Sequence, residues 1–364
     1  MKEIGVSIYP SKSNVDEDKT YLELASKYGF TRIFTSLLEI KGNQSEVVEK
    51  YKEIIHYGNE LGMTTVLDVN PKLFEQLGAS YEDLSFFKEL GAKGIRLDHG
   101  FGGSVEAQMT KDNLGLDIEI NMSTGPDYAN LIMSHLPNRE RLIASHNFYP
   151  MTYSGLSREH FDLTTKVFNA HHLNTAAFVN STVGQLGPWP VQTGLVTLEE
   201  HRYLPLQVQI AHYKAMGTID DLIIGNAYAS EEELKLASEV FFSPHILIPV
   251  ELLDDITEVE RKVILDETHI YRADRSIYMI RSSETRVKYN AEDFPVGITG
   301  GIEKGSLIIG NNNFGQYKGE TQIALLPMRD EGTRNVVGQV TTDALLILDD
   351  LKPLATFQFI EATN

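Results

Sequence analysis

Eight times in the first 240 or so residues, a short apolar run ends in polar residues and gives way to a stretch with helical spacing. The runs end as Val6-Ser7-Ile8-Tyr9, Ile33-Phe34-Thr35-Ser36, Val66-Leu67-Asp68-Val69-Asn70, Ile95-Arg96-Leu97-Asp98, Ile118-Glu119-Ile120-Asn121, Ile143-Ala144-Ser145-His146-Asn147, Ala177-Phe178-Val179-Asn180 and Leu222-Ile223-Ile224-Gly225-Asn226. Alternation of strand-like and helix-like periods at this spacing predicts a (β/α)8 barrel of the TIM type. Barrel chemistry sits at the C-terminal ends of the strands. Asp68, Asn70, Asp98, Asn121, His146, Asn147, Asn180 and Asn226 are therefore expected at one mouth.

Between the strands, helices are expected over 19–28, 45–61, 81–90, 161–172 and 198–216, with another over 230–241. Gly29, Gly62, Gly91 and Gly217 follow four of them, where a left-handed residue ends a helix well. The texture then changes. Residues 244–249, with a proline at each end, read as a linker with extended character, and 254–263 as a short acidic helix. From about His269, short alternating segments over 276–280, 305–309, 322–326, 335–340 and 357–361 are separated by turn residues. This predicts a small all-β barrel. The expected domains are a catalytic barrel over 1–243 and a β domain over 244–364.

At 364 residues the chain exceeds the roughly 250 of a minimal TIM barrel, leaving room for that second domain. A net charge of −19 argues against nucleic acid and anionic membrane surfaces as partners. No run approaches a membrane span, and Met1-Lys2-Glu3 leads at once into a strand, so a cytoplasmic location is expected. With no cysteine, disulfides, thiolate metal sites and thiol nucleophiles are excluded.

Two carboxylates at one mouth suit glycoside hydrolysis, where one protonates the leaving oxygen and the other acts as nucleophile or base. Asp68 and Asp98 lie on neighbouring strands, and Glu39 follows the second strand. Arg96 and Asp98, two apart on one strand, face the same side, so a structural ion pair is the rival reading for Asp98. His146, Asn147 and Tyr149 close the sixth strand with groups suited to a sugar. Gly100-Phe101-Gly102-Gly103-Ser104 offers backbone N–H groups to an anion. Arg281, Arg286, Lys288 and Lys318 form a basic set in the β domain that could hold a phosphate. His171-His172 is a poor chelate on a helix, there is no His-Glu-x-x-His element, and neither metal nor cofactor is expected.

Taken in order, Gly5-Val6-Ser7-Ile8-Tyr9-Pro10, Phe34-Thr35-Ser36-Leu37, Leu67-Asp68-Val69-Asn70-Pro71, Ile95-Arg96-Leu97-Asp98-His99-Gly100-Phe101, His146-Asn147-Phe148-Tyr149-Pro150, Thr197-Leu198-Glu199-Glu200-His201-Arg202 and Asn313-Phe314-Gly315-Gln316-Tyr317-Lys318-Gly319-Glu320 resemble the bacterial 6-phospho-N-acetylmuramidases. The resemblance spans essentially the whole chain. It implies a TIM barrel followed by a cyclophilin-like β-barrel, and cytoplasmic cleavage of N-acetylmuramic acid 6-phosphate linked to N-acetylglucosamine in recovery of cell-wall sugars. One stretch departs from the family. Where members usually carry Tyr-Glu after Gly-Pro-Leu, this chain reads Gly187-Pro188-Trp189-Pro190-Val191-Gln192-Thr193, with Thr193 near the place of the acid. Segment 180–197 is thus where substrate preference or activity is expected to diverge.

The leading expectation is a metal-independent glycosidase with Asp98, Asp68 and Glu39 as catalytic candidates. Tyr9, Ser36, Asn70, Arg96, Asn121, His146, Asn147, Tyr149, Asn180 and Asn226 would contact a phosphorylated amino-sugar disaccharide, with Arg281 or Lys318 on its phosphate. The alternatives are a sugar-phosphate isomerase, epimerase or lyase on the same barrel, and a non-catalytic sugar-binding protein.

Overall fold

The computed structural model describes residues 3–37, 44–70, 73–74, 77–189, 193–329 and 331–362. The chain divides into two compact units, Met1–Leu206 with Gly217–Ser238, and Gln207–Met216 with Glu239–Asn364.

The first unit is built on a closed parallel barrel of eight strands in sequence order. They are β1 (Ile4–Ser7), β2 (Arg32–Ser36), β3 (Thr64–Val69), β4 (Gly94–Leu97), β5 (Asp117–Asn121), β6 (Leu142–Ser145), β7 (Asn174–Val179) and β8 (Asp221–Ile224). Helices α1 (Val15–Lys27), α2 (Gln44–Glu60), α3 (Ser85–Glu89), α4 (Ser104–Met109), α5 (Asp127–Ser134) and α6 (Arg158–Ala170) follow the strands in sequence; α7 (Leu206–Met216) is grouped almost wholly with the second unit, and α8 (Glu231–Phe242) is divided between the two. Gly29 and Gly62 leave α1 and α2 with φ of 82° and 78°, the conformation that stops a helix.

Two expected helices differ. The stretch 198–216 is interrupted: Glu199–His201 forms a 3₁₀ turn and α7 starts at Leu206. Pro205 explains the break, since it lacks an N–H and disfavours helical backbone in the residue before it. Helix α3 is shorter than 81–90, because Ser80 Oγ accepts from the backbone N–H groups of Glu82 and Asp83 and holds a turn there.

The main apolar core lies between the strands and helices, from Leu67, Ile95 and Ile118 outward to Phe87 and Ile132. The barrel interior is charged at its lower end, unlike the branched apolar layers usual for this fold. Arg32 bonds Glu119 and, at 3.0 Å, Asp221, all buried. Above them Phe34, Phe178 and Tyr9 pack together.

The second unit contains a seven-stranded, nearly closed sheet in the order β10-β15-β9-β14-β12-β13-β11. Its strands are β9 (Ile246–Leu252), β10 (His269–Ile270), β11 (Met279–Ser282), β12 (Ser306–Gly310), β13 (Thr321–Ala324), β14 (Arg334–Val340) and β15 (Thr356–Glu361). Helices α9 (Glu258–Leu265), α10 (Glu284–Lys288) and α11 (Leu345–Asp350) accompany them. The expected linker over 244–249 is instead the start of β9, a central strand parallel to β15 and antiparallel to β14. Its alternation was the missed signal: Ile246, Ile248 and Val250 are buried.

Candidate active site at the barrel mouth

Side chains of β3, β5 and β6, with Asp98 just past β4 and Asn147 just past β6, converge on the guanidinium of Arg96. Asp68 on β3 and Arg96 on β4 are register partners. Arg96 Nη1 donates to Asp68 Oδ1 at 2.7 Å, Nε donates to Ser145 Oγ at 2.8 Å, and Nη2 donates to Asn147 Oδ1. Asp98 Oδ1 stands 3.7 Å from Nη1, and Glu119 Oε1 stands 3.7 Å from Nε one layer deeper. The pair expected between Arg96 and Asp98 is thus the looser of two contacts. Asp68, directly opposite on the next strand, is the closer partner.

Asp68 is buried and its second oxygen accepts from Ser36 Oγ at 3.3 Å. Burial pushes its carboxyl up to about 6; Arg96 opposes the shift and the nearby Asp98 adds to it. Asp98 is more open, with about a quarter of its side chain exposed, and its Oδ2 lies 2.9 Å from His99 Nδ1. Its backbone is anchored on both sides: its N–H donates to Val69 O at 3.1 Å, and its carbonyl accepts from Asn121 Nδ2 at 3.2 Å.

Asp68, Arg96, Asp98 and Asn147 form the polar floor of a cleft of about 310 Å³, walled by Phe148, Tyr149, Pro150 and Trp189. Trp189 is 44% exposed and meets Phe148 edge-on at 6.2 Å between ring centres. An acidic pair over a polar floor, with an aromatic wall, matches the two faces of a sugar ring. A divalent ion has little room between the two carboxylates, because Arg96 already occupies that position.

The other sequence candidates divide by their hydrogen bonds. His146 does not face the cleft. Strand alternation turns Ser145 and Asn147 inward and His146 outward, where it stacks on Phe161 and contacts Thr165 Oγ1 at 2.9 Å and Ser123 Oγ at 3.1 Å. It is fully buried, and burial lowers its imidazole to about 3. Ser123 Oγ in turn accepts from Asn147 N–H at 2.8 Å, so His146 acts on the site through two neighbours. Asn121 Oδ1 accepts from Ser123 N–H, and Asn70 Oδ1 from Leu73 N–H, each an internal turn bond. Tyr9 is buried and donates to Gly225 O at 2.6 Å.

Asn180 and Asn226 line a different cleft of about 540 Å³, after β7 and β8, together with Ser181, Thr193 and Arg202. The Asn226 amide is spent on Ser181 and Gly184 backbone, which makes it a latch for that loop. The glycine-rich turn over 100–104 already cradles an anion, the buried Glu106 carboxylate, which accepts from the N–H groups of Phe101 and Gly103 and from Tyr128 OH. Glu39 lies outside the described residues. Arg281 and Lys318 belong to the second unit: Arg281 pairs with Glu320 at 2.7 Å, and Lys318 donates to Glu292 O at 2.7 Å.

Sequence reasoning passed over Trp189, Ser123 and Glu119. Glu119 had a usable signal, since it lies two before Asn121 on β5 and so shares its inward face. Trp189 sits in a loop without periodicity.

Two adjoining family models, described as the N-terminal and C-terminal parts of 6-phospho-N-acetylmuramidase, match residues 4–239 and 246–360. A crystal structure of an uncharacterized B. cereus protein is 43% identical, with 99% of each chain covered and a TM-score of 0.91. A conserved protein of unknown function from a locus in Enterococcus faecalis is 22% identical over 99% of this chain and 96% of its own, with a TM-score of 0.76. No curated protein matches the chain.

Proposed function

The chain belongs to the 6-phospho-N-acetylmuramidase family and is a glycosidase; from that premise we propose that it hydrolyses the bond between N-acetylmuramic acid 6-phosphate and N-acetylglucosamine, with Asp68 and Asp98 as its working carboxylates. The observation carrying this reading is the single nitrogen, Arg96 Nη1, that lies 2.7 Å from Asp68 and 3.7 Å from Asp98 at the floor of an aromatic-walled cleft.

Asp68 is the acid. A carboxyl raised to about 6 keeps a proton far more readily than an ordinary aspartate, and general acids in glycosidases need that property. It gives the proton to the glycosidic oxygen as the bond to the anomeric carbon breaks. Asp98, the more exposed of the two, attacks that carbon from the opposite face and forms a glycosyl ester. Asp68, now ionised, takes a proton from water as the water displaces Asp98.

Arg96 supports the covalent route. One nitrogen within reach of both carboxylates keeps their nearest oxygens closer than the roughly 6.5–9.5 Å of inverting enzymes. Retention of configuration is the outcome this spacing favours. The guanidinium also fills the place a metal would need, which favours a metal-free mechanism over the isomerase and lyase alternatives.

Tyr149 and Trp189 offer aromatic surface to the sugar, and Asn147, Ser36 and Arg96 orient polar groups beneath it. The sugar assignment draws on family membership. The proposed setting is the cytoplasm, where phosphorylated sugars are made, in recovery of cell-wall material. Incubation with the phosphorylated disaccharide and its unphosphorylated twin, followed by mass spectrometry, tests the reading. Cleavage of the first alone is expected; cleavage of neither would sink it.

A further inference from the structure

In the second unit, arginines gather around one buried carboxylate. Glu320, immediately before β13, is wholly buried. Arg281 on β11 donates to it through Nε and Nη2 at 2.7 and 2.9 Å, and Arg286 in α10 donates through Nη1 at 3.0 Å. Gln322 Nε2 adds a bond at 3.0 Å, and Gln322 Oε1 accepts from Arg334 Nε on β14 at 3.2 Å. Two guanidiniums share one carboxylate, so one positive charge is left over at that point. Arg334 has its own partner, Glu331 at 3.1 Å, but that carboxylate is 63% exposed and well screened by water.

Two aromatic rings hold the guanidinium planes. Arg281 and Arg286 lie 5.6 and 5.3 Å from the centre of the Tyr317 ring, and Arg334 lies 4.5 Å from that of Phe314. Both rings come from one 3₁₀ segment, Asn312–Tyr317, bent at Gly315 where φ is 58°. Among the described residues, Arg281 Nη1, Arg286 Nε and Nη2, and Arg334 Nη2 have no protein partner. Lys318, the other residue expected to bind phosphate, spends its ammonium on the Glu292 carbonyl.

Ordered guanidinium donors with a surplus positive charge are the chemistry that recognises oxyanions. In a chain of net charge −19 such a cluster also offsets the general repulsion an anion meets. We propose that Arg281, Arg286 and Arg334 form an oxyanion-binding site of the second unit, taking a phosphomonoester or carboxylate group of a small ligand. The proposal goes beyond the glycosidase reading and does not depend on it, because its test reads binding without turnover.

The test is calorimetric titration of the full-length protein with inorganic phosphate and, separately, with acetate, in low-chloride buffer. Saturable binding is expected. Arg286→Ala and Arg334→Ala should each weaken it about tenfold, roughly the value of one charge-assisted bond. Arg286→Ala leaves Glu320 with its two bonds from Arg281, so the fold is retained, which circular dichroism checks. Glu320→Gln keeps the volume, removes the compensating charge and should tighten phosphate binding. Stronger phosphate than acetate assigns a phosphomonoester; the reverse assigns a carboxylate, and both support an anion site. No saturable binding of either anion, or binding unchanged in both arginine variants, would overturn the proposal.

Discussion

Arg96 and Asp68 face each other across neighbouring strands of the barrel as register partners, with Nη1 donating to Oδ1 at 2.7 Å. That contact joins the lower charged layer of the barrel to the cleft, because the same guanidinium reaches down towards Glu119 and up towards Asp98. The charge state of the mouth is therefore set partly by Glu119, which is wholly buried.

Arg96 itself is the first test. Arg96→Ala leaves Asp68 buried without its cation, while Glu119 keeps Arg32, and breaking such a buried contact costs about 3–5 kcal/mol. Thermal denaturation should show that loss. Arg96→Lys keeps the charge but cannot reach Asp68, Ser145 and Asn147 together, so it should fold and lose about 100-fold in kcat. Near-normal turnover in Arg96→Lys would remove the guanidinium from the account.

The pH profile tests the acid. In the proposed mechanism Asp68 acts in its protonated form, so activity should decline as pH rises through about 6 in the free enzyme. The negative charge of Glu119 contributes to the upward shift of Asp68. Glu119→Gln should therefore move the alkaline limb to lower pH while leaving the product unchanged. A limb that stays in place would mean that Asp68 is not the titrating group.

Trp189 tests the aromatic wall. Trp189→Ala removes a ring that lines the cleft without touching either aspartate's hydrogen bonds. KM for the phosphorylated disaccharide should rise up to about tenfold, the upper end of the about 0.5–1.5 kcal/mol an aromatic contact contributes, with kcat little changed. A fall in kcat alone would place the residue in the chemistry instead.

His146 gives a stability test independent of any substrate. It is buried in its neutral form with an imidazole lowered to about 3, whereas in the unfolded chain it titrates near 6.5. Between those values the unfolded state binds the extra proton, so its contribution to stability is intact above about 6.5 and is lost as pH falls towards 3. The slope should approach about 1.4 kcal/mol per pH unit and shrink in His146→Gln, as read from unfolding midpoints across that range.

The barrel was legible because eight strand–turn–helix periods repeat the same physical statement, and registers of parallel strands then bring their polar ends together. What failed were inferences that needed neighbours. His146 was placed at the mouth by its position near a strand end, yet alternation puts Ser145 and Asn147 inward and His146 against α6. Asp98 looked like the natural partner of Arg96 along one strand, but the cross-strand partner Asp68 is closer. Pro205 was visible as a helix breaker inside 198–216, and the buried alternation of Ile246, Ile248 and Val250 was masked by flanking prolines. Trp189 could not be found from pattern at all, since a loop residue becomes part of a cleft only when Phe148 and Tyr149 are folded beside it.

The most direct test of the paired-aspartate account is azide rescue of Asp98→Ala on the phosphorylated disaccharide, with the product identified by NMR and mass spectrometry. The account predicts at least about a 1,000-fold loss without azide, in line with removal of a catalytic nucleophile. Azide should restore turnover and yield a glycosyl azide whose anomeric configuration is opposite to that of the sugar first released by the wild-type enzyme. Undiminished activity in Asp98→Ala, or a wild-type product of inverted configuration with no azide adduct from the variant, would contradict it.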